Sequence, residues 1–303
     1  MQSIVTRGFA MERRFSSFLA VFLLCFGLVT PPLSSQTGGR LKDFRFEFTT
    51  GVSFQQSILD SSYFHEFSPP FLSGAYVSSA EQTVYFKGRT SWGMNAALTY
   101  FPAEKFGLQF QFEYGRPRFE GNNSNYDVRM NYSLSDPAGA PPYPFLFERS
   151  YGWPDTEGNL NELCFSLNAV VRLPVSNKIT LNISLGPTYF RVTGEGVGLA
   201  YSKYWMEDEY FVGETFQLKI DFGPIHRLGL NVGGEFNWLL FHNVCFIADA
   251  RFFACPEDEV SLKVLPNEML TEPLDQVKKT LNIGRINVNP TFYRVNLGLK
   301  YLF

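Results

Sequence analysis

A set of charged side chains falls on faces where charge is out of place. Arg45, Glu47, Glu113, Arg172, Arg227, Glu235, Asp249, Arg251, Arg294 and Lys300 each take one parity of a short segment. Their same-parity neighbours are mostly Gly, Asn, Ser, Thr or Gln, and the other parity carries mostly Phe, Leu, Val, Ile, Trp or Tyr. Charges shut away from bulk water need partners of opposite sign. The chemistry open to this set is therefore internal ion pairing or the lining of a narrow polar passage.

The other reactive residue types are sparse. The three histidines are scattered: His65 beside Glu66, His226 beside Arg227, and His242 in a turn. His226-Arg227-Leu228 lacks the His-x-Ser arrangement that a rim hydrolase would need, so no catalytic residue is assigned. Four cysteines, Cys25, Cys164, Cys245 and Cys255, show no C-x-x-C spacing. Neither a metal site nor a cofactor is expected. Once the leader holding Cys25 is removed, the count is odd, and a Cys164–Cys255 bridge is one arrangement open to the remainder. The formal net charge of −3 includes a basic start, so the rest is more acidic still, with no basic run. Nucleic acid therefore finds no electrostatic footprint here.

The elements that must position these charges alternate with period two. Phe44, Phe46, Phe48, Thr50, Val52 and Phe54 oppose Arg45, Glu47, Thr49, Gly51 and Ser53, as two faces of a strand. The same pattern runs over 92–100, 108–115, 163–173, 179–189, 228–238, 244–253 and 292–303. Short turns fall at Pro102–Lys105, Pro174–Lys178 and Leu240–Asn243. Long loops are expected over 55–82, 116–161, the stretch holding Tyr201 to Tyr210, and 255–287. A short helix near Glu268 to Leu281 is limited by Pro273. The strand at 92–100 keeps its parity back through Phe86 and Val84, so it projects past its neighbours. The composition agrees, with 32 Phe, 15 Tyr and 25 Gly among 303 residues and only 18% charged.

Residues 1–36 read as a secretory signal: Arg13 and Arg14, then an apolar core from Phe18 to Val29, then Pro31, Pro32, Ser34 and Ser35. Translation starts at Met1 or Met11. Residues 37–303 form one domain with no interdomain linker.

Eight strands with alternating long and short connections make an even, up-and-down sheet. The polar face has few charges, unlike the Lys- and Glu-rich exterior of a soluble barrel. Trp92, Tyr100, Tyr114, Tyr189, Trp238, Tyr293, Tyr301 and Phe303 fall near strand ends, where aromatic girdles meet a lipid interface. In lipid the sheet must close, because no water is present to satisfy an open edge. The fold class expected is all-β: a closed antiparallel eight-stranded transmembrane up-and-down barrel with long external loops. A soluble lipocalin-like barrel is the competing architecture.

The last eight residues carry a second signal. Asn296, Gly298, Tyr301 and Phe303 stand in the slots polar, any, Gly, any, any, apolar, any, aromatic. This resembles the terminal targeting signal of bacterial outer-membrane β-barrels. With the strand pattern, the chain resembles the small outer-membrane barrel proteins of the OmpA and OmpX type. The resemblance implies export, escort by periplasmic chaperones, insertion by the barrel-assembly machinery, and contact with outer-membrane lipid and lipopolysaccharide. The charges Arg45, Glu47, Glu113, Arg172, Glu235, Asp249, Arg251, Arg294 and Lys300 then face the lumen as a salt-bridge network. The expected role is structural or surface-interacting. Loop aromatics such as Tyr63, Phe64, Phe67, Phe71, Tyr143, Phe145, Phe147, Tyr204, Trp205 and Tyr210 either recognise a ligand or pack on one another. A narrow polar channel is the alternative, and a lipid-modifying enzyme carries less weight.

Overall fold

The computed structural model describes residues 44–67, 77–121, 126–134, 143–151, 155–207, 210–268, 270–281 and 283–303. The expected leader lies outside the described residues, as does Phe71. Fifteen strands follow in chain order: β1 (Phe46–Ser57), β2 (Asp60–Phe67), β3 (Val77–Gly88), β4 (Thr90–Tyr100), β5 (Phe106–Gly115), β6 (Arg118–Gly121), β7 (Tyr126–Leu134), β8 (Tyr143–Tyr151), β9 (Thr156–Pro174), β10 (Ile179–Glu207), β11 (Tyr210–Phe241), β12 (Val244–Ala254), β13 (Asp258–Val264), β14 (Arg285–Val288) and β15 (Phe292–Leu302). Among the described residues one helix is seen, α1 (Leu274–Thr280); it begins after Pro273, which stands at its N-cap. There the missing N–H of proline costs the helix nothing. No helix among the described residues is long and apolar enough to cross a membrane.

Every pairing is antiparallel. β1 lies between β15 and β4. β4 pairs with β5, β5 with β9, β9 with β10, and β10 with β11. β11 then pairs with β12, and β12 with β15. The three expected short turns join β4 to β5, β9 to β10 and β11 to β12. At the last of these His242 adopts φ 40, a left-handed position suited to a tight turn.

Two expectations need correction. The segments expected as long loops are largely strand, which brings the sheet to 15 strands among the described residues, and the strand expected to project from Tyr100 back through Val84 is two, β3 and β4, broken at Arg89. β2 and β3 form a hairpin within 55–88. β6, β7 and β8 occupy the second segment, with β6 pairing β3 and β9. β13 and β14 occupy the last, with β13 pairing the upper part of β11. β10 and β11 run 29 and 32 residues, roughly 95 and 105 Å at about 3.3 Å per residue.

The physical reason is an exchange of faces partway along each long strand. In the lower part of β10 the buried residues are Thr180, Asn182, Ser184 and Thr188, while Ile183, Leu185 and Tyr189 stand exposed. From Phe190 upward the same parity stays buried but turns apolar: Phe190 and Val192 are both 0% exposed. The outer parity becomes Arg191, Thr193 and Glu195. A search for one polarity per parity reads this exchange as the end of a strand. Gly223, at φ +106, sits on β11 opposite the irregularity at Val192/Gly194, a backbone position that glycine supplies without strain.

The upper part has its own apolar core. Phe86, Phe119, Phe190, Val192, Phe222 and Phe253 lie at its base, with ring contacts such as Phe86–Phe119 at 5.3 Å and Phe253–Phe292 at 4.5 Å. Above them Tyr63, Tyr201, Leu218, Ile220, Val277 and Ile286 complete it.

Candidate functional site

The buried face of the lower sheet carries two charge clusters. In the first, Lys300 Nζ donates to Glu47 Oε2 at 2.8 Å and also to Glu235 Oε1. Arg172 donates to the other oxygen of Glu47 and stacks its guanidinium 3.4 Å from the centre of the Phe101 ring. Asn182 donates to Glu235 at 2.9 Å. In the second cluster Arg294 bridges Glu113 and Asp249. Ser53 donates to Glu113 at 2.7 Å, and Arg251 Nε lies 3.6 Å from Asp249. Arg251 continues to Asn231 at 2.6 Å, and Asn231 to Asn168 at 2.7 Å.

Each cluster holds two cations and two anions, all at most 4% exposed. The balance is what low dielectric demands, since an unpaired buried ion costs several kcal/mol. Strand order produces it: Glu47, Lys300 and Glu235 come from β1, β15 and β11, and only the sheet pairing makes them neighbours.

Of the charges singled out from the sequence, Glu47, Arg172, Glu235 and Lys300 meet in one cluster and Glu113, Asp249, Arg251 and Arg294 in the other. Arg45 joins neither. It is exposed at the short-turn end and donates to the carbonyls of Phe101 and Pro102 at 3.1 and 3.0 Å. Arg227 is also exposed and pairs with Asp258. The terminal residues lie on β15, with Asn296 buried beside Asp249 and Ser53. Gly298 faces Gly51 across the β1–β15 ladder. A Cβ on Gly298 would run into the Thr50 carbonyl oxygen, so glycine permits the close approach of the two strands. Tyr301 and Phe303 contact each other edge-on at 4.8 Å.

Sequence reasoning missed Glu162. It continues the buried parity of Cys164 and Ser166 by one step and is 1% exposed, yet neither carboxyl oxygen has a hydrogen-bond partner. It lies one step above Arg191, beyond the apolar outer band. Burial pushes its pKa up to about 8, and nearby Glu113 adds to the shift. The Gln55 amide is likewise unpartnered and lies over Gly115, the cross-strand partner of Glu162.

The histidines stand apart. His65, on β2, is buried, and its ring nitrogen lies 3.2 Å from Gln82 Oε1. Gln82 also binds the Gly198 carbonyl and the Ala200 N–H, tying β3 to β10. Burial lowers the His65 pKa to about 4. His226 shares a 2.6 Å hydrogen bond with the Tyr189 hydroxyl on the outer face. Cys164, Cys245 and Cys255 are buried and free. Among the described residues no group of three or more His, Cys, Asp or Glu could hold a metal ion.

Several loop aromatics are structural. Tyr63, Tyr201 and Tyr204 are buried. The Tyr63 hydroxyl accepts from the Gly284 N–H at 2.7 Å, and Tyr201 donates to Glu272 at 2.6 Å. Phe64 points outward at 57% exposure. Tyr143, Phe145 and Phe147 lie on β8.

The chain is thus an antiparallel sheet protein whose lower part is polar inside and apolar outside. No family model matches it, and no curated relative matches it. Among solved structures it is similar to outer membrane protein OprG from Pseudomonas aeruginosa, at 12% identity over 86% of this chain and 96% of that one, with a TM-score of 0.44. It is also similar to outer membrane protease OmpT from Escherichia coli, at 8% identity over 89% and 100%, TM-score 0.39. A third is Ail, the attachment invasion locus protein of Yersinia pestis, at 8% identity over 85% and 99%, TM-score 0.29.

Proposed function

We propose that the chain is an integral β-barrel of a bacterial outer membrane, exported with cleavage of its leader, that holds a rigid β-built platform outside the cell for surface interaction. The observation that carries this reading is the exchange of faces along β9, β10 and β11. Below Tyr189 the outer side is Leu, Ile, Phe, Tyr and Trp, as lipid requires; above it the outer side is charged, as water requires. Ile179–Tyr189 is about 36 Å long, or roughly 27 Å along the normal at a tilt near 40°, close to the apolar band of outer-membrane barrels.

Closure from eight strands is part of the same reading. It is supported by the series β1–β4–β5–β9–β10–β11–β12–β15, whose last member pairs with the first. The two charge clusters then fill the lumen, and the apolar core above them caps it. A channel needs a wet path; here ion pairs and the Phe86, Phe119, Phe190 and Phe222 layer oppose one. The role is read as structural and interactive, neither conducting nor enzymatic, with biogenesis through periplasmic chaperones and the barrel-assembly machinery.

Heat-modifiable gel mobility tests the membrane reading. Unboiled protein from the outer-membrane fraction runs at a different position from boiled protein, whereas a soluble fraction with no shift would overturn it. Planar-bilayer recordings test the plug: wild type gives no steps, and a regular unitary conductance abolished by Arg251→Ala would favour the channel instead.

A further inference from the structure

The outer face at the polarity boundary carries more cations than its own anions match. Read across β5, β9, β10 and β11, successive outward rows are Phe112–Phe165–Tyr189–Leu228, then Tyr114–Leu163–Arg191–His226. The next contain Asn161–Thr193 and Arg118–Asn159–Glu195–Asp221. Arg116 lies between Tyr114 and Arg118 in the chain, on the flank of Asn161. Polarity passes from wholly apolar to cationic within one row. Acidic residues enter only at the uppermost row, about 20 Å above Tyr189 along the strand at 3.3 Å per residue.

These cations are poorly compensated. Arg191 and Arg118 are exposed and make no ion pair among the described residues. Arg116 reaches Glu195 only at 3.7 Å, and its Nε has no hydrogen-bond partner. The neighbouring cations contrast with them: Arg89 binds Glu120 at 2.9 Å, and Arg227 binds Asp258. Arg116 and Arg191 flank Asn161 from either side, with Cα atoms about 12 Å apart by strand geometry. Two arginine side chains span that gap onto one tetrahedral anion, and the planar guanidinium suits phosphate oxygens.

We propose that Arg116, Asn161 and Arg191 form a site for the phosphate of an acidic membrane lipid whose chains lie on Phe112, Phe165 and Tyr189 directly below. The proposal rests on the membrane reading above. Continuity with the apolar band selects a lipid, because a free anion would gain nothing from that surface. Arg118 adds long-range attraction from the row above.

The test uses the full chain folded into nanodiscs of phosphatidylcholine with a minor fraction of phosphatidylglycerol, and native mass spectrometry of the lipids retained. Wild type retains phosphatidylglycerol at least about tenfold above its bulk fraction. The double variant Arg116→Gln/Arg191→Gln loses that enrichment, whereas Arg227→Gln, on the same rim but paired with Asp258, keeps it. Equal retention of both lipids by wild type, or full enrichment in the double variant, overturns the site. Displacement of the bound lipid by millimolar inorganic phosphate overturns the lipid as its occupant. The heat-modifiable shift is read on the same samples: its presence without enrichment sinks the site alone, and its absence sinks the membrane reading with it.

Discussion

Lys300 and Glu47, separated by 253 residues in sequence, sit 2.8 Å apart as an ion pair on the buried face of β1 and β15. The pair joins the first and last strands of the sheet, and its second acceptor, Glu235, ties in β11. Removing Lys300 leaves two carboxylates buried with one arginine. Lys300→Ala is expected to cost about 3–5 kcal/mol, seen as a fall in the urea midpoint of the heat-shifted band. Lys300→Met with Glu47→Gln should recover much of that loss, since paired removal leaves fewer stranded charges. Export is unaffected in either case.

At the terminus, two residues act at different stages. Gly298 packs against the Thr50 carbonyl, so Gly298→Ala forces the β1–β15 ladder apart and lowers stability by about 1–3 kcal/mol. Deleting Phe303 removes no buried contact of the lower clusters. Its expected effect is on assembly: less folded protein in the outer membrane by gel shift, with an unchanged urea midpoint for the fraction that folds.

Glu162 sets a pH dependence in the alkaline direction. Its folded pKa of about 8 lies above the ordinary carboxyl value of 4.5. Below about 4.5 both states hold the proton and burial carries no penalty. Between 4.5 and 8 the unfolded chain releases the proton while the folded one keeps it, so stability falls as pH rises, by about 5 kcal/mol at most. Glu162→Gln should remove this slope and stabilise the protein at pH 8–9. An unchanged pH profile of the urea midpoint would contradict the assignment.

His65 works in the acid direction. Its folded pKa of about 4 is below the ordinary 6.5. Above 6.5 the ring is neutral in both states. As pH falls from 6.5 to 4 the unfolded chain takes the proton first, and up to about 3 kcal/mol of stability is lost. The loss falls on the β2–β3 hairpin, because His65 shares Gln82 with β10. Amide exchange in β2 and β3 should speed up by pH 4.5 in wild type and not in His65→Gln.

The extent to which the fold was legible follows from one physical quantity, the contrast between the two faces of a strand. Over 44–54, 163–173 and 179–189 the contrast is strong and of one sign, so alternation located the lower strands and turns closely. Beyond Tyr189 the sign reverses. Phe190 and Val192 continue the buried parity of Thr188, but their chemistry resembles that of the outer parity below. Period-two reasoning that assigns one polarity to one face therefore stops there; it reads β2, the start of β3, β6, β7, β8, β13 and β14 as loop, and the rest of β3 as a continuation of the 92–100 strand. Tyr63 and Tyr201 fell in segments expected as loops for the same reason; they are core residues of the upper part.

By itself, the sequence determined which residues share a face, because parity along an extended chain is a local property. That was enough to place Glu47, Glu113, Arg172, Glu235, Asp249, Arg251, Arg294 and Lys300 on one side of the sheet. It could not determine which charge meets which. Those partners come from β1, β5, β9, β11, β12 and β15, and strand pairing and register alone decide their neighbours. Tertiary structure likewise decided that Arg45 lies outside both clusters and that Glu162 lies inside without a partner. Both are effects of height along the strand relative to the polarity boundary, which local alternation does not encode.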